Sequence, residues 1–334
     1  MDGFLNINKP AGWTSHDVVA HLRNVLGTEF KQGGDRFQIC PQPRPSRFKV
    51  GHTGTLDPAA TGVLPICLGK ATKLARLLTE TDKEYRAVMR LGETTDTQDA
   101  DGKILVRRAV DGLTEALVRD ALVSFRGEIR QVPPMYSAVK IDGQPLYKAA
   151  RAGREVERAA RTVIIRRLDL IRMEGSDVTL EVTCSKGTYI RTLCADVGER
   201  LGVGAHLHRL VRTRSGPFRI EEAMTLSEVE TAVQQGRILE RLLPAARVLK
   251  DFPSVSVTHQ GARLLLHGVP IGLQAVGRLP KEFKTGQSVL VYNVAGDLIA
   301  LAEALVERTD ASDSGSEGER DLFRLDKVLV SADD

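Results

Sequence analysis

Two hydrophobic periods run through this chain, and the order in which they follow one another limits its architecture. "KEYRAVMRLGE" alternates, with Tyr85, Ala87, Met89 and Leu91 on one face against Glu84, Arg86 and Arg90, the pattern of a half-buried strand. "DVTLEVTC" turns Val178, Leu180, Val182 and Cys184 the same way, and "MYSAVKI" and "RTVIIRRL" read as further strands. Helical segments fall between them irregularly. "TSHDVVAHLRNVLG" opens with Thr14 or Ser15 as N-cap, carries Val18, Val19, Leu22, Val25 and Leu26 on one stripe, and stops at Gly27. "LTEALVRDALVSFRG" has Thr114 as N-cap, Leu113 and Val118 as a hydrophobic staple and Gly127 as its stop, and a later helix starts at a Ser227–Glu230 capping box. Strand and helix do not alternate as βαβ units. The predicted class is α+β, a mixed, largely antiparallel sheet flanked by helices.

At 334 residues the chain is long enough for more than one domain. The helix-rich part runs to a boundary near 250. Beyond it come short strands, including a hairpin "SVLVYNVAGDLIALAEA" that turns at Ala295, Gly296 and Asp297. Residues 1–250 and 251–334 are therefore expected to be two domains, the second small and β-rich. Residues 28–49, with three prolines in five positions, read as a surface excursion, and "RTDASDSGSEGERD" as an acidic, disordered loop. No apolar run is long enough for a membrane span and no leader pattern opens the chain, so the expected location is the cytoplasm. Cys40, Cys67, Cys184 and Cys194 show no C-x-x-C spacing and read as reduced thiols; Cys194 shares an apolar helical stripe with Ile190, Leu193, Val197 and Leu201. No metal is expected.

The net charge of +4 hides an asymmetry: 39 Lys and Arg against 30 Asp and Glu before residue 251, and 8 against 13 from there on. A basic body suits either a polyanionic partner or an unpartnered solvated surface. Two segments concentrate the charge. "KAARAGREVERAARTVIIRR" holds Arg151 and Arg154, and in "HLHRLVRTRSG" the residues His206, His208, Arg212 and Arg214 alternate as if on one strand face, a pattern suited to phosphate contacts. Aromatic residues make up only 4% of the chain, which favours a folded nucleic acid over a stacked single strand.

Chemistry centres on "GHTGTLDPAATG". Gly51, Gly54 and Gly62 permit backbone angles closed to other residues, and Pro58 pushes Asp57 toward extended geometry, so this is a shaped loop. Asp before Pro is also a common helix start, but Gly62 and Pro65 would end such a helix within about one turn. Arg191 falls in the first turn of a helix, where the dipole gives a cation nothing, which suits service to a carboxylate or phosphate, with an ordinary surface arginine as the alternative. "GVLPICLGKAT" fails as a P-loop because Leu64 and Ala71 stand where Gly and Ser or Thr are needed.

"GFLNINKPAGWTSHDVV", "GHTGTLDPAATGVLPICLGKATK", "KEYRAVMRLGETTDTQDADG", "VPPMYSAVKIDGQPLYKAARAG" and "CSKGTYIRTLCADVGERLG" resemble, in order and spacing, the bacterial TruB-type tRNA pseudouridine synthases. The resemblance covers about residues 3–245 and, more weakly, the rest, where "HQGARLLLHGVPI" and the terminal hairpin are similar to a PUA-type RNA-binding domain. It implies isomerisation of uridine 55 in the tRNA T-loop to pseudouridine without metal or cofactor. It also implies that Asp57 is the catalytic carboxylate, that Tyr85 stacks on the flipped base and that Arg191 pairs with Asp57. His52 would enter the T-loop as the base leaves, and Lys9 would shape the site floor or contact the backbone. A monomer that needs no protein partner is expected; a guide-dependent relative working inside a ribonucleoprotein is the alternative, against which the short N-terminus before "GFLNINKP" argues. An Arg close to Asp57 is expected to lower its pKa and keep it ionised.

Overall fold

The computed structural model describes all residues except 33–48, 138, 142, 152, 155, 281, 309–319 and 331–334. In chain order the first elements are β1 (Gly3–Lys9), α1 (Ser15–Gln32), β2 (Val50–His52), β3 (Thr61–Leu68), α2 (Ala75–Thr79) and β4 (Lys83–Leu91). A ribbon of β5 (Glu93–Thr95) and β6 (Ile104–Arg107) precedes α3 (Glu115–Val123), β7 (Gly127–Gln131), β8 (Lys140–Ile141), β9 (Gln144–Pro145) and α4 (Leu146–Arg151). Then come β10 (Arg161–Glu174), β11 (Asp177–Cys184), α5 (Ile190–Arg200), β12 (Ala205–Ser215), β13 (Phe218–Arg219), α6 (Leu226–Gln234) and α7 (Ala245–Val248). The chain closes with β14 (Ser254–Val257), α8 (His259–Leu266), β15 (Ile271–Gly272), β16 (Val276–Arg278), β17 (Ser288–Tyr292), β18 (Leu298–Ala304) and β19 (Asp321–Val328).

The larger sheet follows the path β1-β3-β12-β4-β11-β10-β7, with β2 beside β3 and β13 beside β12. Its pairings are antiparallel except β3 with β12, which is parallel and joins only Val211 to Thr61 and Arg212 to Gly62. The class is α+β, as the alternating segments predicted. Ala87, Met89 and Leu91 of β4 and Val178, Leu180, Val182 and Cys184 of β11 are buried on the face that α5 covers with Ile190, Leu193, Cys194 and Val197. Each Val, Leu, Ile or Met among them contributes about 1.5–3 kcal/mol on burial. α5 lies so close to the start of β12 that a Cβ on Gly198 would sit 2.2 Å from the Ala205 nitrogen. Burial pushes the Cys67, Cys184 and Cys194 thiols up to about 12, which keeps them protonated.

A six-stranded sheet, β15-β19-β18-β17-β14-β16, lies wholly after residue 253 and has its own core around Val257, Leu265, Phe283, Val289 and Phe323. A third cluster joins the two parts: Phe4 of β1, Leu77 of α2 and Phe218 of β13 meet Leu290 of β17, Leu301 of β18 and Leu329 just after β19. Lys73 Nζ also donates to the Val328 carbonyl at 2.6 Å. The expected hairpin is β17–β18. Among the described residues no helix is long and apolar enough to cross a membrane.

Several local expectations need correction. α1 runs through Gly27 to Gln32, because an isolated glycine costs only about 1 kcal/mol in a helix that packing already holds. Residues 33–48 of the 28–49 excursion, and most of the acidic loop, lie outside the described residues. α3 does cap on Thr114, which accepts from Leu117 N, but ends at Val123; Gly127 instead opens β7. The capping box of α6 is Thr225–Glu228, not Ser227–Glu230. Both fit S/T-x-x-E, and the buried stripe Val229, Ala232, Val233 decides between them. Among the described residues of "MYSAVKI", the strand is confined to Lys140 and Ile141.

Candidate active site

Asp57 stands between β2 and β3, and no helix follows it: β3 begins at Thr61, so Asp57 is not an N-cap. Side chains from three elements hold the backbone on either side. Ser15, at the start of α1, accepts from Leu56 N at 2.8 Å and donates to Leu56 O at 3.2 Å. Lys9, at the end of β1, is fully buried and donates to the carbonyls of Pro58 at 3.0 Å, Pro10 at 2.8 Å and Trp13 at 2.6 Å. Arg212 of β12 donates Nε to Val63 O at 2.7 Å, Nη2 to Gly54 O at 3.1 Å and Nη1 to Thr55 O at 3.4 Å. Gly62 sits where β12 meets this loop, at φ +101°; a Cβ there would lie 2.3 Å from the Arg212 carbonyl oxygen. Glycine is the residue that fits both the angle and the space.

Arg191 reaches this loop from the first turn of α5. Its Nε lies 3.0 Å from Asp57 Oδ2, but the N–H is not aimed along that line, so the contact is ionic rather than a formed hydrogen bond. The guanidinium is placed by other groups: Nη2 donates to Tyr136 O at 2.7 Å, and Nη1 donates to Thr97 O at 3.2 Å and lies 3.3 Å from Asp99 Oδ2. The Asp57 pKa is raised, not lowered. Desolvation by burial is the largest cause, Arg191 opposes it, and Asp99 adds to the rise. The expectation allowed for the arginine and omitted the burial. The Asp57 side chain keeps 43% of its surface accessible, so the carboxylate is still open to solvent.

His52 Nδ1 accepts from Gly54 N at 3.3 Å, which leaves the ring proton on Nε2. Burial, then Arg212, lower its pKa, so the ring is neutral at pH 7. Tyr85 is half-buried on β4, packed on the main core and opposite Arg212 in the strand register. Burial raises its phenol pKa and the neighbouring Arg212 opposes the rise. Burial also lowers Lys9 to about 8, against the pull of Asp57. Arg191 thus lies against Asp57 and Lys9 holds the neighbouring Pro58 carbonyl, while Arg212 binds the same loop at Gly54 and Thr55 and stands opposite Tyr85 in the strand register.

The basic stripe does not survive as one face. Bulges between Leu207 and Arg209 and between Arg212 and Arg214 break the alternation. His206 is buried, with Nδ1–H donating to Glu93 O at 3.2 Å, and Arg212 is 1% exposed. His208 and Arg214 keep partial exposure, and Arg214 pairs with Glu84 at 2.6 Å. Arg154 is exposed; the side chain of Arg151 lies outside the described residues. A hollow of about 370 Å³ between α3 and β10, lined by Arg119, Asp120, Leu122, Arg126 and Leu170, contains none of the candidate residues. Arg119 and Arg126 already spend their donors there on the carbonyls of Leu170 and Leu168.

Asp99, Ser15 and the carbonyls of Thr97 and Tyr136 were not anticipated as site groups. Asp99 is held by Thr97 Oγ1 at 2.5 Å on a turn where Gln98 adopts φ 63°. The density of polar residues in "TTDTQDADG" signals a turn, not a second carboxylate at Arg191.

Residues 44–190 match the TruB family pseudouridylate synthase N-terminal domain, and residues 191–250 match the tRNA pseudouridylate synthase B C-terminal domain. The chain belongs to the TruB family. Among its relatives, tRNA pseudouridine synthase B of Burkholderia mallei is 45% identical over 304 residues, 91% of this chain and 93% of that protein. The enzyme of the same name from Pseudomonas putida is 46% identical over 271 residues, covering 80% and 82%. Of solved structures, a Cbf5-Nop10-Gar1 complex contains a chain that superposes with a TM-score of 0.75 at 29% identity, covering 99% of this chain and 86% of that one. An H/ACA RNP bound to a substrate RNA containing 2'-deoxyuridine gives 0.72 at 26%, with the same coverage.

Proposed function

We propose that this chain converts uridine 55 in the T-loop of tRNA to pseudouridine, with Asp57 as the catalytic carboxylate acting on a flipped-out nucleotide. The observation that carries the reading is the buried Arg191 set 3.0 Å from a carboxylate that is still open to solvent, in a TruB-family chain. The bond from ribose C1′ to N1 breaks, the base turns, and C1′ rejoins at C5; the C5 proton leaves and N1 gains one, so the product is an isomer. A negative oxygen beside C1′, C2′ or C6 serves the first step, and Arg191 holds that oxygen in place. Flipping the base out costs a few kcal/mol, which stacking on Tyr85 offsets while the neutral ring of His52 takes the vacated space.

The surrounding groups fit this division of labour. Lys9 and Ser15 fix the loop rather than meet substrate, and Arg154, His208 and Arg214 are the members of the basic set that retain surface for phosphate. We assign residues 1–250 to catalysis and 251–334 to a PUA-like RNA-holding part; the separate sheet beginning at Ser254 supports the division. No metal or cofactor enters the scheme. A tRNA substrate places the work in the cytoplasm, and the enzyme is read as a monomer acting alone.

The structural neighbours from protein and RNA assemblies favour one second reading, a catalytic subunit that needs a guide RNA. One experiment separates the readings. Purified protein and its Asp57→Asn variant are incubated singly with an unmodified tRNA transcript, and pseudouridine is mapped. The proposal expects modification at position 55 by the wild type alone and none by Asp57→Asn, which still binds the transcript. Wild-type rates from Asp57→Asn, or activity only with a guide RNA added, overturn it.

A further inference from the structure

We propose that Arg212 is a positioning residue for the isomerisation: one buried guanidinium fixes the Asp57 loop and the Tyr85 ring relative to each other. The inference rests on the function proposed above. Arg212 is 1% exposed, and among the described residues no carboxylate pairs with it. A buried cation without a counter-ion is expensive, and a simple tie between a strand and a loop does not require one. What a guanidinium provides is a rigid planar fork with several donors.

That fork is used on both sides of the reacting group. Two of its bonds reach Gly54 and Thr55, before Asp57, and a third reaches Val63, after it. Ser15 and Lys9 each grip one peptide adjoining Asp57, Leu56 and Pro58 respectively. Arg212 alone of the three also stands opposite Tyr85 across the β12–β4 register and next to its phenol. β12 meets β3 for two residue pairs only, and Arg212 with Gly62 is one of them. The strand that carries Arg212 is therefore the element joining the carboxylate's loop to the stacking ring. Its burial separates it from the phosphate-contact role that its place in "HLHRLVRTRSG" suggested.

The test is Arg212→Lys, which keeps the charge and loses the fork, with Arg209→Ala, an exposed neighbour on the same strand, as control. Three quantities are measured on unmodified tRNA transcript: thermal unfolding, binding affinity and single-turnover pseudouridine formation. We expect Arg212→Lys to melt cooperatively, to bind within about threefold of wild type, and to react about 100-fold more slowly, the order of loss for a misplacement of about 1 Å. Arg209→Ala should match the wild type throughout. A rate within threefold of wild type overturns the proposal. So does an affinity loss as large as the rate loss, which would make Arg212 an RNA grip, and so does loss of cooperative melting, which would make it a folding residue. Should wild type make no pseudouridine, or Asp57→Asn retain it, the failure lies in the function proposed above and not in Arg212.

Discussion

Arg191→Lys separates a held carboxylate from a merely neighbouring one. Four acceptors surround Arg191: Tyr136 O at 2.7 Å, Asp57 at 3.0 Å, Thr97 O at 3.2 Å and Asp99 at 3.3 Å, reached by three different nitrogens. A lysine offers one ammonium at one point and serves about two of the four. Bonds from charged donors contribute roughly 1.5–3 kcal/mol each, and a buried acceptor left without a partner costs about 1–3 kcal/mol. The expected destabilisation is therefore about 3–5 kcal/mol. At roughly 2–4 °C per kcal/mol for larger domains, that lowers Tm by about 10 °C. Once the guanidinium no longer braces Asp57, a displacement of about 1 Å costs on the order of 100-fold, which is about 2.7 kcal/mol at 1.36 kcal/mol per tenfold. Because Arg191 is 4% exposed, tRNA affinity should stay within about threefold. Single-turnover rates, binding and melting on the same preparation test all three. A variant that reacts within threefold of wild type, or whose rate falls only in proportion to its affinity, refutes the bracing role.

Tyr85→Leu preserves contact with the core and removes the aromatic face; with stacking at about 1–3 kcal/mol per base, kcat/KM should fall roughly 5- to 150-fold, while Tyr85→Phe stays near wild type. Equal activity of the Leu and Phe variants would exclude stacking. For Lys9, burial lowers the pKa from 10.5 to about 8, so between those values the unfolded chain holds a proton that the folded chain has released. Stability from this group therefore rises with pH across that window and carries its full penalty below it, at most about 3 kcal/mol. The buried thiols titrate in both proteins, so the stability difference between wild type and Lys9→Met, from urea midpoints at pH 7.5 and 10, isolates the lysine. It should shift toward wild type as pH rises; a pH-independent difference contradicts the argument.

How much of this could be read from the chain follows from which forces are local. The alternation of Ala87, Met89 and Leu91 reports a sheet with one buried face, because a period of two has no other use in a folded chain. Arg191 stood out for a related reason, being placed against the helix dipole. A bulge adds one residue without any mark in composition, so Arg212, placed by period two among outward-facing cations, in fact turns inward to backbone carbonyls. Asp99 was hidden by its surroundings, since a run of Thr, Asp and Gly looks the same whether it solvates a turn or delivers a carboxylate. The approach of Asp57 to Arg191 is a tertiary fact between distant segments, and only the resemblance of whole blocks anticipated it.

The distribution of donors around Asp57 bears on why that carboxylate could react at all. Three buried cations lie near it, yet Lys9 spends its donors on three carbonyls, Arg212 on three more, and Arg191 chiefly on Tyr136 and Thr97. Had two or three of those N–H groups pointed at the Asp57 oxygens instead, the carboxylate would be held far below its usual pKa, with its lone pairs occupied and little basicity or nucleophilicity left. Instead it receives one off-axis ionic contact, and burial raises its pKa. The cations give the loop its rigidity chiefly through the backbone, and the Asp57 side chain itself receives the single contact from Arg191 Nε. For a group proposed to meet a ribose, that is the more reactive of the two arrangements.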